Sequence, residues 1–326
     1  MLLEVRDLHV EFHTRDGVAQ AVDGVGYAVD EGETLAVLGE SGSGKSVTAQ
    51  AVMGILDMPP GRIGGGEILF KGRDLLTLGK EERRRIRGRE MAMVFQDALS
   101  SLNPVVSVGD QLGEMFVVHR GMSRKDARTK AVELMDRVRI PAAGQRVRDY
   151  PHQFSGGMRQ RIMIAMALAL EPSLIIADEP TTALDVTVQA QVMDLLAELR
   201  RELDMGLILI THDLGVVADV ADRIAVMYAG RIVETAPVHD LYRAPAHPYT
   251  RGLLRSIPRL DHKGRGLYAI KGLPPSLLSV PPGCAFHPRC PLARDVCRHG
   301  APPPLYEVTE RRRSACHFWQ EALHAR

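Results

Sequence analysis

The chain has 326 residues, of which 45% are hydrophobic and 25% are charged, and its formal net charge is +1. This balance predicts a globular protein with room for more than one domain. A net charge near zero excludes a global attraction to nucleic acid, and an aromatic content of 5% disfavours a base-stacking surface. Residues 1–12 lack an apolar block, so we expect no signal peptide and a cytosolic protein.

The N-terminal half of the chain begins with strand patterns and then becomes helical. Apolar patterns predict strands at 3–12, 35–38, 67–70 and 91–96. The glycine-rich residues 60–66 predict a loop. From about residue 105 to 150 the periodicity is helical, and Ser123 is typical of a helix N-cap, so we expect an inserted helical subdomain.

In the second half, helices and strands alternate until prolines become frequent. Patterns predict helices at 156–170 and 186–203, and strands at 174–178, 207–211 and 223–229. This alternation predicts an α/β fold with a mainly parallel sheet. Beyond about Pro237, recurring prolines predict a small, loop-rich unit, and all four cysteines of the chain lie there.

Residues 39–46, GESGSGKS, match the phosphate-loop pattern and lie between a predicted strand and a predicted helix. The glycines let backbone N–H groups approach a phosphate, and the helix presents its positive end to the same anion. Lys45 is expected to reach the β- and γ-phosphates, and Ser46 to hold Mg²⁺. A glycine-rich turn without a ligand is the alternative. The predicted nucleotide contacts in this stretch are Gly39, Ser41, Gly42, Ser43, Gly44, Lys45, Ser46 and Val47.

A nucleotide hydrolase also needs a carboxylate for the metal and a base for water. The apolar run LIIAD ends in Asp178 and Glu179, which we assign to these two tasks. FSGGMRQR opens a further predicted helix with Ser155, and ITHD places His212 at the end of a strand. An N-capped helix and an ordinary histidine are the alternative interpretations of the last two.

Together these motifs resemble the ATP-binding subunits of ABC transporters over about residues 1–260. GESGSGKS resembles the Walker A motif and LIIADE the Walker B motif. The resemblance implies a Q-loop at Gln96, a D-loop at Ala183 to Asp185, a switch histidine at His212 and an adenine-stacking aromatic at Phe12. It implies that Mg²⁺ is held by Ser46, Gln96 and Asp178, and that catalysis uses Glu179, His212 and Gln96. FSGGM resembles the family signature, whose implied contacts to a partner's ATP are Ser155, Gly156, Gly157 and Met158.

Longer phrases, such as YPHQFSGGMRQR and HPYTRGLL, resemble the oligopeptide/dipeptide importers and their nickel-importing relatives. The implied fold is a P-loop ABC ATPase with a parallel core sheet, an N-terminal antiparallel part, a helical subdomain and a loop-rich C-terminal domain. We expect a nucleotide-binding domain at 1–260, with the helical subdomain at about 97–160, and an extension at 261–326.

The resemblance also implies the partners. They are a second ATPase subunit, two transmembrane permease subunits and an external substrate-binding protein, with this chain on the cytoplasmic face of the membrane. Importers of this type favour a heterodimer of ATPase chains, and a homodimer is the alternative. Peptide import is the expected function. Import of nickel or another small solute, and a soluble ABC ATPase of repair or translation, are the alternatives.

The four cysteines, Cys284, Cys290, Cys297 and Cys316, are spaced C-x5-C-x6-C-x18-C. In a reducing cytosol such clustering favours metal binding over disulfides. No C-x2-C pair is present, which disfavours common zinc motifs. The resemblance implies a [4Fe–4S] cluster, and zinc or free thiols are alternatives. His287, His299 and His317 lie close enough in sequence to replace a cysteine ligand.

Overall fold

A computed structural model describes residues 1–182, 184–257 and 269–324. Its strands are β1 (Leu3–Thr14), β2 (Gly17–Val29), β3 (Thr34–Leu38), β4 (Gly61–Phe70), β5 (Arg73–Asp74), β6 (Met91–Val94), β7 (Leu174–Asp178), β8 (Gly206–Thr211), β9 (Arg223–Tyr228), β10 (Arg231–Pro237), β11 (Tyr306–Thr309) and β12 (Arg312–Ser314). Its helices are α1 (Lys45–Met53), α2 (Lys80–Ile86), α3 (Ala98–Ser101), α4 (Val108–Arg120), α5 (Arg124–Arg137), α6 (Ala143–Arg146), α7 (Gly156–Leu168), α8 (Val186–Leu203), α9 (Leu214–Val220), α10 (Val238–Arg243), α11 (Pro248–Arg255) and α12 (Trp319–His324).

The main sheet has eight strands in the order β11-β12-β10-β9-β3-β8-β7-β6. The five strands from β9 to β6 are parallel, and β10, β12 and β11 extend that sheet with antiparallel pairs. Strands β3, β7 and β8 are buried along their whole length, as expected for a parallel sheet covered on both faces. The predicted α/β fold with a mainly parallel core is therefore confirmed.

A second, antiparallel sheet has the order β2-β1-β4-β5, which confirms the expected N-terminal antiparallel part. The predicted loop at 60–66 is wrong, because Gly61 begins β4 and pairs with Phe12 of β1. These glycines lie where the pairing between β1 and β4 is irregular. A Cβ on Gly66 would lie 2.5 Å from the Asp7 carbonyl oxygen, and its φ is +101°. Close backbone contact, rather than a turn, explains this glycine.

The inserted helical part is present and has the predicted apolar face. The Ser123 hydroxyl accepts a hydrogen bond from the Asp126 N–H at 3.2 Å, which starts α5 as expected. Ala131 and Met135 of α5 are fully buried and belong to one core that continues into the parallel sheet. The subdomain is therefore packed firmly onto the sheet that carries the site.

The C-terminal part is poor in regular structure, as predicted, but it joins the main sheet. Between 269 and 305 the only helical pieces are the three-residue 3-10 turns His287–Arg289 and Asp295–Cys297. Beyond them, Ser314 of β12 pairs with Glu234 of β10. The sequence pattern predicted neither β2 nor β10, and the division at residue 261 stays a prediction. In the described parts of the chain, no helix is both long and apolar enough to span a membrane.

Candidate active site

The glycine-rich loop connects the buried strand β3 to helix α1, as its pattern predicts. At Gly39 and Gly44 the φ angles are +156° and +101°. An added Cβ would lie 2.3 Å from the Met227 carbonyl oxygen at Gly39, and 2.3 Å from the Ala21 carbonyl oxygen at Gly44. Only glycine fits these two positions, so the loop wraps tightly around the start of α1 and directs its N–H groups inward.

Lys45 and Ser46 are the first two residues of α1, and both point toward the sheet edge. Lys45 is 5% exposed, and its Nζ donates to the carbonyl oxygens of Gly39 at 2.8 Å and Glu40 at 3.0 Å. Burial lowers the pKa of the Lys45 ammonium, although the neighbouring carboxylates act in the opposite direction. A desolvated cation held against the loop is well placed to exchange these carbonyl contacts for phosphate oxygens.

Asp178 and Glu179 lie at the carboxyl end of β7, directly opposite this loop. The Ser46 hydroxyl donates to Asp178 Oδ1 at 3.0 Å, so the phosphate loop and the carboxylate are in contact. Asp178 is 6% exposed, and burial raises its pKa while the Ser46 hydrogen bond lowers it. Glu179 has a φ of +45°, and its N–H donates to the Ile210 carbonyl oxygen at 2.8 Å. This bond to strand β8 turns the Glu179 side chain into the cleft.

Three side chains from separate parts of the chain contact the Glu179 carboxylate. Gln96 Nε2 donates to Oε2 at 3.1 Å, the Thr182 hydroxyl donates to the same oxygen at 2.9 Å, and His212 Nδ1 lies 3.5 Å from Oε1. Sequence reasoning missed Thr182, although a hydroxyl three residues after an acid was an available signal. The cleft that they enclose, about 500 Å³ in volume, is lined by Glu40, Ser41, Gly42, Gly44, Lys45, Ser46, Val47, Gln96, Glu179 and His212.

The donor atoms at this edge suit a hard divalent cation next to a phosphate. The Ser46 hydroxyl and the Asp178 carboxylate are already in contact, and Gln96, whose amide nitrogen donates to Glu179, lines the same cleft as Ser46. Oxygen ligands of this kind, few in number and completed by phosphate oxygens and water, are typical of Mg²⁺ sites. The residues present therefore fit Mg²⁺ bound together with a nucleoside triphosphate.

Several predicted site residues lie outside this cleft. Phe12 is on β1, opposite Ala19 and Gly61, and packs at the edge of the second core. Residues 155–158 begin α7, where the Ser155 hydroxyl accepts from the Met158 N–H at 3.3 Å. Asp185 caps α8 by accepting from the Val188 N–H at 2.9 Å. Ser43 is buried within the loop, and Ala183 lies outside the described residues.

The four cysteines surround a single enclosed cavity in the C-terminal part. Cys284, Cys290, Cys297 and Cys316 all line it, together with His287 and His317, whereas His299 does not. Burial raises the pKa of Cys290 to about 11 and that of Cys316 to about 12, so as free thiols both are protonated at neutral pH. Within residues 1–182, 184–257 and 269–324, no three His, Cys, Asp or Glu side chains lie close enough to hold a metal ion.

Comparison with known proteins agrees with this geometry. Residues 22–182 match the ABC transporter family, and residues 233–297 match the C-terminal region of oligopeptide/dipeptide transporters. The chain is 54% identical to the dipeptide transport ATP-binding protein DppD of Bacillus subtilis, over 91% of this chain and 88% of that protein. It is 51% identical to the oligopeptide transport ATP-binding protein OppD of Salmonella typhimurium, over 97% of this chain and 93% of that protein. The chain belongs to the ABC transporter family of ATP-binding proteins.

Solved structures of ABC proteins show the same fold. The dimeric structure of MJ0796, a bacterial ABC transporter cassette, has a TM-score of 0.65 and 27% identity, and the match covers 72% of this chain and 98% of that one. CbiO1 of Clostridium perfringens, part of an ABC transporter complex, has a TM-score of 0.63 and 28% identity, over 74% and 90% of the two chains. ABC transporter ATP-binding proteins are ATPases coupled to transport, and this ABC ATPase has a cleft suited to that reaction.

Proposed function

We propose that this chain hydrolyses ATP to power the import of peptides through an ABC transporter at the cytoplasmic face of the membrane. One observation supports the proposal that the chain hydrolyses ATP. The phosphate loop and the paired carboxylates of β7 meet, with the Ser46 hydroxyl 3.0 Å from Asp178. Peptide import rests on the similarity to dipeptide and oligopeptide transport proteins, which extends over more than nine tenths of the chain.

Each task of the reaction is assigned to a side chain at or beside this cleft. Ser46, Asp178 and Gln96 would hold Mg²⁺, which would neutralise charge on the phosphates. Lys45 and the loop amides orient the β- and γ-phosphates. Glu179 takes a proton from the attacking water, while its hydrogen bond from Gln96 and its contact with His212 hold its carboxylate at the γ-phosphate end of the cleft.

A second ATPase subunit completes the site in this proposal. Ser155, Gly156 and Gly157 do not line the cleft of their own chain, and Ser155 and Gly156 are exposed. The N-terminus of a helix binds anions, so this signature segment is suited to a nucleotide held by another subunit. We infer a closed pair of ATPase subunits with two ATP molecules between them, and the heterodimer of two different chains remains our proposal.

Contact with the permease subunits is proposed at residues 95–105, the segment around and after Gln96. Here Phe95 is 41% exposed, Leu99 is 55% exposed and Val105 is 79% exposed. Exposed apolar side chains so close together favour a protein partner. Because Gln96 also donates to Glu179, a partner that moves this segment also changes the catalytic carboxylate. An external binding protein would deliver the peptide to those permeases.

Glu179→Gln tests the ATPase assignment. Loss of the general base should reduce ATP turnover by about 100-fold or more. ATP binding should survive, and the variant should form a stable ATP-dependent dimer on size-exclusion chromatography. Glu133→Gln, which changes an exposed glutamate of α5, is the matched control. Full turnover in Glu179→Gln would place the base elsewhere. Stimulation of ATPase by peptide-loaded binding protein in the reconstituted transporter tests the substrate.

We further propose that the four cysteines hold a [4Fe–4S] cluster that stabilises the C-terminal part. Four thiols without a carboxylate around one cavity are the donor set of such a cluster. The sulfurs of a single zinc ion lie about 2.3 Å from the metal, and hence close together. In the described residues no three His, Cys, Asp or Glu side chains lie close enough to hold a metal ion, so the proposal rests on the donor set and on its clustering around one cavity.

Anaerobic purification tests the cluster. We expect about four iron atoms and matching sulfide per chain, with the visible absorbance of an iron–sulfur protein. Cys290→Ser should lose both, and Val296→Ser, a change at an exposed neighbour, should lose neither. One zinc ion per chain without iron would overturn this proposal while leaving the ATPase assignment intact.

A further inference from the structure

The phosphate loop contains one acidic residue, Glu40, in the stretch GESGSGKS. Its side chain is 26% exposed, and the residue lines the nucleotide cleft. A carboxylate in a loop that binds a polyanion repels the ligand, because two like charges in a partly desolvated site interact strongly. The structure must therefore offset this charge if the loop is to bind a triphosphate well.

Arg289 of the C-terminal part supplies the opposing charge. Its Nη1 donates to Glu40 Oε2 at 2.6 Å, and its Nη2 donates to Oε1 at 2.9 Å. The two bonds form the bidentate fork in which arginine binds carboxylates most strongly. The Arg289 side chain is only 4% exposed, so water screens this pair far less than it screens a surface ion pair.

The guanidinium is fixed in place by several further contacts. Arg289 Nη1 donates to the Tyr228 hydroxyl at 3.3 Å, and Nε donates to the Lys271 carbonyl oxygen at 3.2 Å. Its carbon Cζ lies 5.9 Å from the centre of the Phe286 ring. The hydrogen bonds that Arg289 donates to the Glu40 carboxylate hold the pKa of Arg289 above its usual range, so the guanidinium stays charged.

The same region also binds the backbone of the phosphate loop. The Glu40 N–H donates to the Tyr249 hydroxyl at 2.8 Å. The rings of Tyr228, Tyr249 and Phe286 pack on one another, with centroid separations between 4.6 and 5.3 Å. Arg289 directly precedes Cys290, so the turn that carries it also forms the wall of the cysteine cavity.

We propose that Arg289 is a positioning residue of the ATP site, supplied by the cysteine-rich C-terminal part, which neutralises Glu40 and so allows the phosphate loop to accept the triphosphate. The inference rests on the proposed ATPase function and extends it. Without Arg289, the Glu40 carboxylate stays beside the phosphates without its partner. It also becomes free to pair with Lys45, whose Nζ already contacts the Glu40 carbonyl oxygen at 3.0 Å.

The test is a titration of the full chain with AMP-PNP, a non-hydrolysable ATP analogue, in the presence of Mg²⁺. Arg289→Gln should raise the Kd about tenfold, since an uncompensated like charge then faces the phosphates. The double variant Arg289→Gln/Glu40→Gln should return to within about threefold of the wild type, because the repelling charge is gone as well. In steady-state assays the KM for ATP should rise while kcat changes little.

Two controls separate this inference from the function on which it rests. Arg294→Gln removes another arginine of the same segment, one that pairs with Glu321 at the surface, and it should leave the Kd unchanged. Lys45→Ala should weaken binding about 100-fold. Wild type that fails to bind AMP-PNP would overturn the proposed function itself.

Binding by the wild type together with an unchanged Kd in Arg289→Gln would overturn the inference alone. The inference would also be overturned if the double variant bound AMP-PNP as weakly as Arg289→Gln does. Arg289 would then hold the phosphate loop in place rather than neutralise Glu40. Should Arg289→Gln not fold, Arg289→Lys keeps the charge but loses the fork, and its Kd should rise by less than about tenfold relative to the wild type. Binding by Arg289→Lys equal to wild type would show that the charge alone suffices.

Discussion

The nucleotide site and the four-cysteine segment are assembled in different ways. Asp178, Glu179 and His212 follow the buried parallel strands β7 and β8, and Lys45 begins the helix after β3. Ladder hydrogen bonds and a continuous apolar core fix these strand ends before any nucleotide binds. The segment 284–297, by contrast, contains only two three-residue turns.

If the proposed cluster is present, the cysteine segment needs its ligand for folding, whereas the nucleotide site needs its ligand only for function. Strand ends are positioned by packing, so the nucleotide site forms without its ligand. A segment of short turns and prolines has little regular structure and little core of its own, and a bound metal group can supply free energy for its folding. Four predictions test this contrast, from the largest expected effect to the smallest.

The largest effect should follow from Cys297→Ser. Loss of a ligand should remove several kcal/mol of the about 10 kcal/mol that a structural metal can contribute to folding. We expect the melting transition to split or to shift downward in scanning calorimetry. Val296→Ser changes an exposed neighbour and should melt like the wild type. Equal melting temperatures of the two variants would mean that packing alone stabilises the segment. That result would contradict the contrast between the cysteine segment and the nucleotide site.

Lys45→Ala should affect binding and leave folding intact. Losing the ammonium should weaken ATP binding about 100-fold, or about 2.7 kcal/mol. The free energy of unfolding should not fall, because the cation is desolvated in the free protein and burial lowers its pKa. Isothermal titration and urea denaturation measure the two quantities, with the exposed Lys80→Ala as the control. If Lys45→Ala lowered both the affinity for ATP and the free energy of unfolding, the nucleotide site would also need the Lys45 ammonium in order to fold.

Asp178→Asn should make the nucleotide-free, Mg²⁺-free protein more stable by about 1 kcal/mol at pH 7, since it removes a buried charge. The folded-state pKa of Asp178 is raised by burial, so the ionised carboxylate costs stability above that pKa. Below the ordinary pKa of about 4 the Asp178 carboxyl is protonated in both the folded and the unfolded state. The difference in stability between Asp178→Asn and the wild type should vanish there. Denaturation at several pH values checks this, and a destabilised variant at pH 7 would contradict it.

Tyr249→Phe should give the smallest effect, and it tests the boundary between the two regions. The change removes the hydroxyl that accepts from the Glu40 N–H at 2.8 Å and preserves the ring packing. One hydrogen bond of this kind contributes about 1 kcal/mol. We expect a slightly lower melting temperature and a few-fold weaker binding of ATP. Tyr306→Phe, which loses a contact with His317, is a control that should leave ATP binding unchanged.

Local patterns were sufficient to predict most of the fold. Apolar runs of five or six residues gave β7 and β8, and the Ser123 cap gave α5, because each depends on neighbours in sequence. The pattern failed at β4, where glycines permit a close backbone contact instead of a turn. It also missed β2 and β10, although each forms an antiparallel hairpin with the strand directly before it.

The sequence by itself determined the chemistry of the site. A glycine loop before a helix and an acidic pair after an apolar strand have a narrow set of physical uses, so Lys45, Ser46, Asp178 and Glu179 could be named in advance. Only the tertiary structure decided that Arg289 pairs with Glu40, which lies 249 positions earlier in the sequence. Such contacts depend on how whole elements pack, and no local pattern of residues encodes that packing.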